Sequence, residues 1–283
     1  MTERRSRAAP AGRAPRRAAL AAGALATGAG LLLGGCGHSS ANSAFAGDGA
    51  KRAAPPAQAP AGGTAQAPEA TTFARLKGVP RDAEPGRTTG GLVVHPAKPV
   101  PVLDKPGGRT VATLPTQELG GPTWVPVVQS SGDWRRVLLP SRPNRASGWI
   151  SGTTDGLLTA HTPYTVKVDL SQRRLTLLKS GKAAGSWSVA VGGAKTPTPT
   201  GRTFVLANLA PAKKTPSPLV LPLGTHSATL DTFGGGPGTV ALHGWPDRSV
   251  FGKAVTHGCV RVPQDALQAL AKVPLGSLVF IDE

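Results

Sequence analysis

Tyr164-Thr165-Val166-Lys167-Val168-Asp169-Leu170 alternates apolar and polar residues along its length, the period of a strand with one face on a core. Leu175 to Leu178 follows, then Ser180-Gly181, then Trp187, Val189 and Val191 at every second position. Apolar runs split by a Ser-Gly turn predict an antiparallel meander. Further on, Thr196-Pro197-Thr198-Pro199-Thr200-Gly201 precedes a strand over Thr203 to Leu206. From Pro263 to Lys272, Leu267, Leu270 and Ala271 fall at i, i+3 and i+4 behind a leading proline, which predicts one short amphipathic helix. Leu278 to Ile281 reads as a closing strand. Residues 162–283 are therefore expected to form a mainly β domain.

Upstream, short apolar runs alternate with turn residues. Leu92-Val93-Val94, Val100 to Leu103, Val111 to Leu114, Val125 to Val128, Trp134 to Leu139 and Gly148-Trp149-Ile150 are separated by Lys105-Pro106-Gly107-Gly108, Gly120-Gly121-Pro122 and Ser131-Gly132-Asp133. Many short strands at regular spacing predict a small β-barrel or sandwich. Their order resembles a bacterial SH3-like domain, expected over residues 89–158. Trp134 and Trp149 fit a buried core or a binding groove, and the core reading is favoured. Residues 36–88 are rich in Ala, Pro, Gly, Ser and Gln, as in Ala53-Ala54-Pro55-Pro56-Ala57-Gln58-Ala59-Pro60. Such a stretch buries too little apolar area to offset its chain entropy and is expected to be a disordered tether.

The chain carries a net charge of +17, with 37 Gly, 28 Pro and 4% aromatics. Residues 1–35 hold six Arg and one Glu, which leaves +12 on the remainder. Charge of that sign favours anionic surroundings, nucleic acid or a cell envelope alike. The N-terminus favours the envelope. An Arg-rich start, an apolar run from Ala18 to Leu33 and small residues before Cys36 have the pattern of an export signal over residues 1–35. Leu33-Gly34-Gly35-Cys36 resembles a bacterial lipobox, which implies lipidation at Cys36, and Arg16-Arg17 resembles a twin-arginine export motif. The expected location is thus outside the cell, anchored by lipid at the membrane and facing the wall, with anionic wall polymers rather than nucleic acid as partners. No phosphate loop, paired catalytic carboxylates or nucleotide fingerprint occurs, which excludes those classes by motif.

Cysteine usage narrows the chemistry. Cys36 sits at the signal boundary, which leaves Cys259 as the one thiol of the folded region. It lies in Thr256-His257-Gly258-Cys259-Val260-Arg261, and Leu242-His243-Gly244-Trp245 stands sixteen residues upstream, His243 to Cys259. A thiolate is the reactive form of cysteine, and a nearby imidazole takes its proton. Backbone N–H groups around Gly258 and Cys259 are candidate donors to an oxyanion, and Gly258 has no Cβ to obstruct a substrate. Arg261 is two residues past Cys259, so on an extended segment it shares the face of the thiol. Its guanidinium suits a substrate carboxylate or, alternatively, a structural ion pair. A zinc set of His243, His257, Cys259 and His226 offers suitable ligand types but none of the usual spacings, so no metal is expected. His226 by itself reads as a surface or partly buried histidine.

The Thr-Pro-Thr-Gly, His-Gly and Thr-His-Gly-Cys-Val-Arg motifs together resemble those of L,D-transpeptidases of the YkuD type, from Tyr164 to Glu283. The resemblance implies a YkuD-type β-sandwich with one short helix, no cofactor, Cys259 as nucleophile and His243 as its base. The Gly244 carbonyl would fix the imidazole tautomer, and His257 and Thr256 would tie the loop together by hydrogen bonds. It also implies peptidoglycan stem peptides as substrates. A thioester would form at the third stem residue, and a second stem would then accept the acyl group to give a cross-link. Water or a free amino acid as acceptor would instead give a carboxypeptidase or an exchange reaction. A non-catalytic wall-binding lipoprotein is the alternative from outside enzymology. Some members carry Asn where this chain has Arg261, which weakens the carry-over of that contact.

Overall fold

The computed structural model describes residues 66–213 and 215–283 of the 283-residue chain. The expected signal, Cys36 and residues 37–65 of the tether lie outside the described residues. In the N-terminal half the apolar runs become β1 (Leu92–Pro96), β2 (Val100–Leu103), β3 (Thr110–Leu114), β4 (Gln117–Glu118), β5 (Gly121–Pro122), β6 (Val125–Ser131), β7 (Trp134–Leu138), β8 (Ser147–Ser151) and β9 (Leu157–His161). Seven of them form an antiparallel sheet in the order β3-β2-β8-β7-β6-β1-β9. Val94, Val102, Leu114, Val125, Val137 and Ile150 are buried in its core. Trp149 is buried under the Arg136 guanidinium, 6.0 Å from its ring, while Trp134 is half-buried at the hairpin end. Strand β9 carries no apolar alternation, because most of its residues are exposed and its place is set by the backbone ladder to β1.

The expected tether over residues 36–88 does not extend through its last third. Glu69, Arg75 and Arg81 bridge to Thr113, Arg142 and Ala146, and Ala70, Thr72, Leu76 and Asp82 are buried. The arm is anchored by polar groups with distant partners, which a composition rich in Ala and Pro does not reveal. At its end Asp82 takes two hydrogen bonds from Arg202, 2.6 Å and 2.9 Å, with both side chains almost wholly buried. Arg202 also donates to the Arg87 carbonyl at 2.6 Å. A charge pair out of water needs this kind of bidentate geometry and added partners to offset its desolvation.

The C-terminal half contains β10 (Tyr164–Asp169), β11 (Arg174–Lys179), β12 (Lys182–Ser188), β13 (Val191–Gly192), β14 (Gly201–Phe204), β15 (Val220–His226), β16 (Thr239–Gly244), β17 (Ala254–Thr256), β18 (Val260–Val262), α1 (Gln264–Leu270) and β19 (Leu278–Asp282). The meander is present as β10, β11 and β12, with Ser180 and Gly181 at φ 49° and 76° in its second turn, between β11 and β12. A five-stranded sheet, β12-β11-β10-β19-β14, faces a three-stranded sheet, β15-β16-β18. Between them Val166, Val168, Leu175, Leu221, Leu223, Leu242, Val260, Val262 and Ile281 form one core, closed by Ala266, Leu267 and Leu270 of α1. Ala266, rather than the exposed Ala271, completes the helix's apolar face.

Strand β19 joins the two halves. Val279 and Ile281 point into the sandwich core, while Leu278 and Phe280 point into the N-terminal core. Phe204 and Leu206 do the same from β14 and its extension, with Val205 on the opposite face. A strand buried on both faces reads as a continuous apolar run, which is what Leu278 to Ile281 is.

Candidate active site

The sandwich determines which face the thiol occupies. β16 and β18 run parallel, with Leu242 opposite Val260, His243 opposite Arg261 and Gly244 opposite Val262. Leu242, Val260 and Val262 are fully buried in the core. Because successive side chains alternate, His243, Cys259 and Arg261 share the other face. All three are half-buried there, and Cys259 is a free thiol.

His243 Nδ1 lies 3.0 Å from the Gly244 carbonyl. A carbonyl only accepts, so Nδ1 carries the proton and Nε2 is left with its lone pair. Gly244 is held in turn: its N–H donates to Ser217 Oγ at 2.7 Å, and that hydroxyl donates to the Leu219 carbonyl at 2.5 Å. A Cβ on Gly244 would press on Leu267 and Ser217. Burial holds His243 below the usual histidine range, opposed by the Gly244 carbonyl and reinforced by Arg261. Burial pushes the Cys259 thiol up, against the backbone of Ala241 and the charge of Arg261, which both pull it down. Both shifts favour the uncharged forms, a thiol and an imidazole on one face of the β16–β18 ladder.

The loop before Cys259 is fixed by threonines. Thr256 Oγ1 donates to the Cys259 carbonyl at 2.5 Å and accepts the Gly258 N–H at 3.1 Å. Of the two expected oxyanion donors, the Gly258 N–H is therefore already engaged. Gly258 sits at φ 113°, a conformation that favours glycine. Thr198 Oγ1 accepts the Gly192 N–H and donates to the Gly258 carbonyl, each at 2.9 Å. Thr196 Oγ1 donates to the Thr256 carbonyl at 3.0 Å. Thr196 and Thr198 thus support the loop that carries Cys259. The Thr-Pro-Thr-Pro-Thr-Gly run marked the place but not the task. Ser217 had no signal in the sequence.

His257 does not tie the loop by hydrogen bonds as expected. Its ring is exposed and lies 5.3 Å from that of Phe233. The tie runs through Thr256 because its short hydroxyl reaches the adjacent backbone groups. Arg261 makes no ion pair among the described residues: its guanidinium lies 3.7 Å over the Trp245 ring, and its buried Nε has no hydrogen-bond partner. Trp245, next to the His-Gly pair, is a contact that the sequence reading left unused. His226 is wholly buried, not at the surface, with Nε2 2.7 Å from the Thr72 carbonyl and 3.0 Å from Thr72 Oγ1. His226 and His257 therefore point to partners other than Cys259.

Residues 163–281 match the YkuD family, the L,D-transpeptidase catalytic domain. The YkuD protein of Bacillus licheniformis is 31% identical over 153 residues, 52% of this chain and 86% of that one. Its Bacillus subtilis counterpart is 28% identical over 151 residues, 52% of this chain and 85% of that one. Among solved structures, an L,D-transpeptidase from Mycobacterium smegmatis aligns at 14% identity and a TM-score of 0.37, over 56% of this chain and 99% of that one. The catalytic domain of the E. faecium L,D-transpeptidase aligns at 21% identity and 0.34, over 43% and 99%. The chain belongs to the YkuD family of L,D-transpeptidases.

Proposed function

We propose that the protein is an exported peptidoglycan L,D-transpeptidase, anchored by lipid at Cys36, that works through a Cys259 thioester. The observation that carries this reading is the His243 Nδ1–Gly244 contact of 3.0 Å, which directs the basic Nε2 away from the carbonyl on the face shared with Cys259. Nε2 takes the thiol proton as Sγ adds to the carbonyl carbon of the third stem residue. The C–N bond to the fourth residue then breaks, and the departing D-Ala amine takes the proton from His243. A thioester remains. The side-chain amine of a second stem adds to it, gives up a proton to His243, and expels the sulfur, which regains that proton. An amide cross-link forms and the enzyme is restored. The Cys259 N–H is the remaining candidate for oxyanion support.

Arg261 is offered as the carboxylate contact of the stem. Its place 3.7 Å over the Trp245 ring and its unpartnered Nε support that role, since a guanidinium held on an aromatic face keeps an edge for bidentate pairing. The N-terminal sheet is read as the SH3-like module, carried on the tether and favouring anionic wall polymers. Disaccharide-tetrapeptide muropeptides incubated with the purified protein test the acceptor. Cross-linked dimer with release of D-Ala is the expected product. Monomeric tripeptide alone would mean water is the acceptor and would overturn the cross-linking role.

A further inference from the structure

The segment from Ser227 to Gly238 connects β15 to β16, the strand that carries His243. Its tip is a Phe233–Gly236 turn closed by two backbone bonds of 3.0 Å, with Gly234 and Gly235 at φ 58° and 82°. Phe233 is 52% exposed, yet its ring lies against His257, two residues before Cys259. Glycines at 234, 235, 236 and 238 give such a loop high chain entropy, so left alone it would sample many positions.

Its base is held from the N-terminal half. Arg142, between β7 and β8, donates Nη1 to the Ser227 carbonyl at 3.0 Å and Nη2 to those of Leu230 and Pro237 at 3.1 and 3.0 Å. Asn144 brackets His226, accepting its N–H at 2.9 Å and donating to its carbonyl at 2.7 Å. Arg75 pairs with Asp231 at 2.6 Å. A Cβ on Gly238 would collide with the Leu230 carbonyl and crowd Arg142. A cavity of about 370 Å³ lies between the arm and the loop, so polar contacts rather than dense packing fix the loop.

We propose that Arg142 is a positioning residue for the transpeptidase: by gathering three carbonyls of the Ser227–Gly238 loop it sets Phe233 against His257 and shapes the surface beside Cys259 on which the stem peptide rests. This rests on the thiol reading given above. The N-terminal half then contributes to substrate affinity without touching substrate. A loop fixed in advance removes an ordering cost from binding, so its release falls on KM rather than on the thiol.

The test uses the full chain with Arg142→Ala, Phe233→Ala and the double variant. Active sites are titrated by iodoacetamide on Cys259, and kinetics are measured on disaccharide-tetrapeptide. Arg142→Ala is expected to raise KM about tenfold, with kcat per titrated site and the alkylation rate within about twofold of wild type. Phe233→Ala should give the same rise, and the double variant no further one, because both act through one contact. Independent effects that multiply in the double variant would overturn the proposal. So would an unchanged KM in Phe233→Ala, whose exposed position keeps it folded if Arg142→Ala does not fold. Turnover that survives in Cys259→Ala would instead refute the thiol reading, with the loop's part judged separately.

Discussion

His243 and Arg261 face each other across β16 and β18, and the consequences are electrostatic. Arg261 lowers both the imidazole and the thiol, by placing a fixed cation near each. His243 must be neutral to accept a proton, so activity should persist below pH 6.5, the ordinary histidine value, and its acid limb should lie under that point. Replacing Arg261 by Gln removes the cation. The acid limb of kcat/KM should then move up, and iodoacetamide should label Cys259 more slowly at a given pH. A pH–rate profile that Arg261→Gln leaves in place would show that the charge does not reach the pair. His243→Ala should lower kcat/KM by about 10²- to 10⁴-fold, the usual worth of a general base.

Two elements give sharper tests than the motif itself. Thr198 joins β13 to the Cys259 loop through one hydroxyl with two partners, so Thr198→Val leaves the Gly192 N–H and the Gly258 carbonyl unpaired. The expected cost is about 1–3 kcal/mol, measured by denaturant unfolding, together with slower alkylation of Cys259. Asp82→Ala leaves Arg202 buried without its carboxylate and should cost about 3–5 kcal/mol. A Tm equal to that of wild type would mean the arm contributes nothing to stability. The elements differed in how legible they were beforehand. The alternation at Tyr164 to Leu170 and the double-faced run at Leu278 to Ile281 announce strands, because burial fixes their period. The arm announces nothing: Thr72, Arg75 and Asp82 find partners 46 to 167 residues away, and no local pattern encodes that. Cys259 and His243, the proposed nucleophile and base, stand out in two short motifs. Ser217 does not, because its contribution is one hydroxyl placed by the path of the chain.

The two halves of the described structure are tied by a buried polar knot at Thr72, with Glu118 from the N-terminal half and His226 from the sandwich. Burial holds His226 down to about 4, and burial with Glu69 nearby raises Glu118 to about 7. The signs oppose. The His226 contribution is complete above pH 6.5 and is lost as pH falls toward 4, while the Glu118 contribution is complete below pH 4.5 and is lost as pH rises through 7. Between pH 4.5 and 6.5 the two slopes cancel, so stability should be flat there. Each slope is about 1.4 kcal/mol per pH unit, and one substitution exposes the other. Glu118→Gln should lose stability toward acid and His226→Gln toward neutrality, as read by Tm across that range; parallel curves would refute the assignment. All of this scaffold serves one claim, that Cys259 attacks with His243 as its base. Intact-mass analysis after incubation with a carbapenem, which acylates nucleophilic thiols, tests it most directly. The account predicts a stoichiometric adduct on the wild type, a slowly formed one on His243→Ala and none on Cys259→Ala. An equal adduct on Cys259→Ala would contradict it.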